Sequence, residues 1–115
     1  MIDGFYRIAF TGTAGSGFGL LAFQSGVIAG ADTAGGIFDG SYTAQPDTGA
    51  IDFRINMNLP AGITPVQTGI PLAAPLTMPI SGSIQVSDID GDTPTLLQTP
   101  LGPVNALFKK VRDLP

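Results

Sequence analysis

Apolar and polar residues alternate along much of this chain, most clearly in Ala50–Leu59. There Ile51, Phe53, Ile55, Met57 and Leu59 share one parity, and Asp52, Arg54, Asn56 and Asn58 the other. Successive side chains of a strand point to opposite faces, so the pattern predicts an antiparallel strand with one dry and one wet face. Gly4–Thr11 predicts a second, with Tyr6, Ile8 and Phe10 against Phe5, Arg7, Ala9 and Thr11. Phe18–Gln24 is apolar on both parities, as in a strand covered on both sides or closely approached through Gly19. Ser25-Gly26 is a two-residue hairpin signal leading into Val27–Asp32. Ile37–Thr43 and Ile80–Ser87 alternate again, and Thr95–Thr99 and Val104–Val111 complete the set.

The segments between these strands are turn-forming: Gly12–Gly17 as a loop, Thr33–Gly36, Ala44–Gly49, Asp88–Thr93 and Leu101–Pro103. Pro60–Pro79 holds five of the ten prolines and cannot be a helix. It either covers one end of the fold or contributes a short edge-like piece such as Thr68–Leu72. About eight short strands without a helical period predict an all-β domain over residues 1–115. The architecture expected is a meander closed as a small antiparallel up-and-down β-barrel or packed as a sandwich; the short connections favour up-and-down order, and closure into the barrel would also remove exposed edges.

Composition narrows the chemistry. The chain has 115 residues, no Cys and no His, and all nine of its acids are Asp. Ser-His-Asp and Cys-His catalysis within the chain are excluded, as are zinc, haem and iron–sulfur sites built on those residues. An enzyme is not expected, and neither is a cofactor. The net charge is −4, with five cations in all, so direct nucleic-acid binding is not expected. No run of 18 apolar residues occurs, and the first residues lack a basic leader, so no membrane association is expected and the cytoplasm is the expected compartment.

Several groupings invite a sharper reading. Gly12–Gly19 resembles a phosphate loop but has no Lys after its glycines and leads into a strand. Asp88, Asp90 and Asp92 have the spacing of calcium-loop ligands, but Thr93 and Thr99 stand where a Gly and a bidentate Glu belong. Asp39 and Asp52 would approach as a carboxylate pair only if Ile37–Thr43 and Ala50–Leu59 form a hairpin, and both lie on the wet parity. Lys109, Lys110 and Arg112 gather three of the five cations near the C-terminus, as edge protection or a partner patch. The aromatic set Tyr6, Phe10, Phe23, Phe38, Tyr42, Phe53 and Phe108 can mostly face one interior. Two outcomes fit it: a packed core, or an aromatic-lined cavity for an apolar small molecule or lipid.

The opening Met1-Ile2-Asp3-Gly4-Phe5-Tyr6-Arg7-Ile8-Ala9-Phe10 resembles the M-x-D-G-x-Y-x-I-x-F start of the GrlR family, bacterial negative regulators of type III secretion. Gly17-Phe18-Gly19, the Gly26 to Asp32 arm, and Gly40 before Tyr42 continue the likeness over residues 1–58. It is poor over 60–79 and loose after that. The resemblance implies a lipocalin-like barrel, an apolar cavity, a homodimer, and non-enzymatic regulation through binding an activator protein. The family's acidic Glu-Asp-Glu-Asp loop aligns with Ala44, Gln45, Pro46 and Asp47. Gln45 and Asp47 are therefore the partner-loop positions, and only Asp47 is acidic.

Overall fold

The computed structural model describes residues 2–89 and 91–114. Its strands are β1 (Gly4–Gly12), β2 (Gly15–Gln24), β3 (Val27–Asp32), β4 (Ile37–Gln45), β5 (Ala50–Leu59), β6 (Leu76–Gln85), β7 (Thr95–Thr99) and β8 (Gly102–Asp113). They form one antiparallel sheet in the order β6-β5-β4-β3-β2-β1-β8-β7. Each of β1 to β5 pairs with the next, β7 pairs with β8, and β8 returns to β1 with Phe108 opposite Ile8. The meander therefore closes on itself except at a seam between β6 and β7. The fold is the expected all-β up-and-down barrel of eight strands, nearly closed.

The alternation predicted for β5 is realised residue by residue. Ile51, Phe53 and Leu59 are buried, while Asp52, Arg54 and Asn56 are exposed. Ser25 and Gly26 both take positive φ, 50° and 86°, as a tight hairpin with the right-handed twist of its strands requires.

Several boundaries differ from expectation, among them β4, which runs on to Gln45, and β8, which spans Gly102–Asp113. Gly12–Gly17 is not a loop: Thr13-Ala14 is a two-residue turn, and β1 and β2 pair out to Gly12 opposite Gly15. The glycines serve packing, because a Cβ on Gly17 would sit 2.6 Å from the Phe10 ring. β6 begins at Leu76 and runs through Pro79, which an edge strand tolerates because a missing N–H there breaks no ladder bond. It ends at Gln85, where the Val86 N–H turns to the Gly49 carbonyl (2.8 Å) and Val86–Asp88 form a 3-10 turn. The second parity of β2 is not covered either: Phe18 and Leu20 are 57% and 59% exposed.

One barrel end is plugged by the chain's own start. Tyr6 is fully buried, and its hydroxyl donates to the Ile2 carbonyl. Its ring meets Phe23 edge-on at 5.0 Å, and Phe23 in turn meets Tyr42 at 5.2 Å. Tyr42 donates its hydroxyl to the Asp3 carboxylate, which also accepts the Ser25 N–H at 3.1 Å. The Tyr42 and Ser25 bonds, in that order, hold the Asp3 carboxyl below the ordinary carboxylate range, against a small opposing effect of burial. Burial first, and then Asp3, push the Tyr42 phenol upward.

The Asp3–Tyr42 bond gives a pH-dependent prediction. A lowered folded-state pKa contributes stability that is present above the unfolded value and lost as pH falls through the folded one. Tyr42→Phe should therefore lower Tm at neutral pH, and its gap to the wild type should close in acid, below about pH 4. Melting curves across pH 2–7 check this; a gap independent of pH would contradict it.

Candidate functional site

The barrel is not filled. Its interior holds a partly open apolar cavity of about 160 Å³, lined by Ile8, Leu21, Phe38, Ile55, Met57, Met78, Ile80, Ala106 and Phe108 among others. Small barrels are ordinarily filled by their own side chains. Here Gly17 leaves one wall position without a side chain, while Gly30, Gly40 and Gly82 face inward but do not line the cavity. At Gly30 and Gly40 a Cβ would lie 2.1 Å from the Leu20 and Arg54 carbonyl oxygens, so backbone occupies the space a side chain would need. Ala106 on β8 adds a further small residue to the wall while remaining wholly buried.

Of the seven aromatic candidates, Phe10, Phe23, Phe38, Phe53 and Phe108 line this cavity. Tyr6 and Tyr42 do not; they belong to the plugged end. Their hydroxyls need partners there, and the N-terminal segment supplies the Ile2 carbonyl and the Asp3 carboxylate. Gln45 and Asp47 also lie away from the cavity, at the β4–β5 turn. Gln45 donates its side-chain amide to Asp52 (3.0 Å), and Asp47 is exposed.

The opposite end is the mouth, formed by the β1–β2, β3–β4 and β7–β8 turns, and residues 60–75 cover it. Ile63, Pro65, Val66 and Gln67 face inward and line the cavity. The Val66 carbonyl accepts the Ala14 N–H (2.8 Å), and Gln67 donates to the Thr99 hydroxyl (3.2 Å). A second pair of bonds, Gly62 N–H to Leu72 and Leu72 N–H to Ile63 (both 2.8 Å), folds the segment on itself. The proline-rich stretch is thus a cap on the barrel, and only its last residues join β6.

Polar groups collect at this end. Ser16, Asp32, Thr33, Thr64, Gln67 and Thr99 line the mouth side of an otherwise apolar cavity. Asp32 closes the β3–β4 turn, its Oδ1 accepting the N–H groups of Ala34 (3.0 Å) and Gly36 (2.7 Å). In the sequence Asp32 is only the last residue of the predicted strand Val27–Asp32, with nothing to mark it as a cavity residue, and the cap residues carry no period.

The remaining candidates do not assemble into sites. Asp39 stands opposite Asn56, and Asp52 opposite Thr43, two rows apart on the outer face. Asp92 pairs with Lys109 (2.6 Å), and Asp90 lies outside the described residues. Among the described residues no cluster of three Asp could hold a metal ion. Lys110 pairs with Asp113 (2.5 Å) beside the Tyr6 ring. No helix among the described residues is long and apolar enough to cross a membrane.

No family model matches the chain, and no curated protein matches it.

Proposed function

We propose that this protein is a non-enzymatic binding protein whose barrel takes up a small apolar molecule under the cap of residues 60–75. The observation that carries this reading is the apolar cavity inside the barrel. An empty apolar volume forfeits the dispersion contacts and burial a filled core would have, so a hollow in so small a barrel costs stability unless it is used. An engineered cavity of about 150 Å³ with a similar lining stays dry and binds benzene. Ligand binding to the folded state alone raises Tm with ligand concentration. Toluene at increasing concentration should therefore raise Tm in a saturable way; an unchanged Tm up to its solubility limit would contradict the reading.

A second reading, regulation through protein contact as in the GrlR family, is supported by the outer face of β1–β4. Phe5, Phe18, Leu20, Val27 and Ile37 are all exposed there, and Ala9, Ala22, Ala29 and Ala31 lie between them in register. Contiguous apolar patches of this kind mark association surfaces, with a second copy or another protein as occupant. Leu20→Glu at the patch centre should abolish association measured by sedimentation while leaving Tm nearly unchanged, as for most surface substitutions. Association unaffected by Leu20→Glu would remove the face from this role.

A further inference from the structure

The charge and size of the cavity select among apolar ligands, an inference that rests on the cavity-binding reading above. We infer that the site takes compact, single-ring ligands that are neutral or carry a cationic hydrogen-bond donor, and that it rejects carboxylates such as fatty acids.

The cavity of about 160 Å³ is the size that holds a benzene-like molecule, and a long alkyl chain exceeds it while residues 60–75 stay seated. Charge argues in the same direction. Asp32 is the only charged residue among those lining the cavity, and no Lys or Arg joins it. The five cations are placed elsewhere. Arg7 and Arg54 occupy outward positions on β1 and β5, Lys109 is held by Asp92, and Lys110 and Arg112 lie at the plugged end. A bound carboxylate would be removed from water beside another carboxylate with nothing to offset either charge.

The hydrogen-bonding groups at the mouth also favour a donor. The Thr99 hydroxyl is already committed: it donates to the Gly102 carbonyl (2.6 Å) and accepts from Gln67 and Leu101. The Gln67 amide nitrogen is spent on Thr99. Oδ1 of Asp32 serves its own turn, and Oδ2 accepts no hydrogen bond among the described residues. An amine or hydroxyl on a ring inside the cavity therefore finds acceptor capacity at this end, and a carboxylate finds a negative charge.

The test is a calorimetric titration of the full chain at pH 7 with toluene, benzyl alcohol, benzylamine, benzoate and decanoate, repeated on Asp32→Asn. Asn retains an acceptor oxygen for the Ala34 and Gly36 amides, and the melting curve of the variant reports whether the turn survives. The expected result is binding of the first three, with benzoate weaker than benzyl alcohol by roughly tenfold or more. Decanoate should show no binding. In Asp32→Asn the benzoate penalty should shrink and benzylamine should weaken, while toluene is unchanged. Benzoate binding as well as benzyl alcohol, decanoate binding tightest, or a benzoate penalty untouched by Asp32→Asn would each overturn the inference and leave cavity binding intact. Failure of all five probes, toluene included, would overturn the cavity reading itself.

Discussion

Phe53→Asp is expected to unfold this protein. Phe53 is 8% exposed, faces inward from the middle of β5, and lays its ring across Gly82 on β6, where a Cβ would be 3.2 Å from it. The substituted carboxylate would point into a cavity lined by no cation. Leaving a buried charge uncompensated costs about 3–5 kcal/mol, a large share of the ~5–15 kcal/mol that holds a typical domain together. The control lies one residue away. Arg54 points outward from the same strand and is exposed, so Arg54→Gln should change stability by no more than about 0.5 kcal/mol. Circular dichroism melts of the two variants read the facing of β5 directly. A folded Phe53→Asp beside an unfolded Arg54→Gln would reverse the parity of the whole strand.

The second large effect is a gain in packing with a loss of binding. Ala106 is wholly buried on β8, opposite Phe10 on β1 and Thr95 on β7, and lines the cavity. In a filled core, Ala106→Leu would overpack and cost about 1–3 kcal/mol. In a hollow one, the added carbons enter empty space, and each buried methylene contributes about 0.8 kcal/mol. Ala106→Leu should therefore hold or raise Tm while weakening toluene binding by about tenfold or more, the equivalent of ~1.4 kcal/mol. A drop in Tm with toluene binding intact would mean that the space near residue 106 is already occupied by protein.

Much of this fold is legible in the chain, because a half-buried strand writes its facing into alternate residues. β3 and β5 match their expected bounds, and the Ser25-Gly26 turn could be read from two residues. The errors have physical reasons. Glycine in Gly12–Gly17 signals a loop by composition, yet Gly17 is there to admit the Phe10 ring. Apolar residues on both parities of β2 suggested cover on both sides or a close approach at Gly19; the second face is open at Phe18 and Leu20, and the close approach is real, since a Cβ on Gly19 would lie 2.7 Å from the Ala31 carbonyl oxygen. The hollow interior left no trace, since inward aromatics spell a packed core and a lined cavity identically. The Tyr6 and Tyr42 hydroxyls were unplaced because their partners, Ile2 and Asp3, reach them only through the tertiary fold. For Pro60–Pro79 the chain offered two outcomes, cover over one end or an edge piece at Thr68–Leu72, and residues 60–75 have no period to choose between them; their position follows from where β5 ends and β6 begins.

Binding of a compact apolar molecule inside the barrel can be tested by methyl NMR. Toluene titrated into protein labelled at Ile, Leu, Val and Met methyls should give saturable shifts at Ile8, Ile55, Met57 and Met78, which line the cavity. Val27 and Val111, on the exterior, should stay still. The same titration of Ala106→Leu should need about tenfold more toluene, or more, to move the interior methyls. Saturable shifts confined to exterior methyls, or none at all in the wild type, would contradict a hollow, ligand-binding barrel.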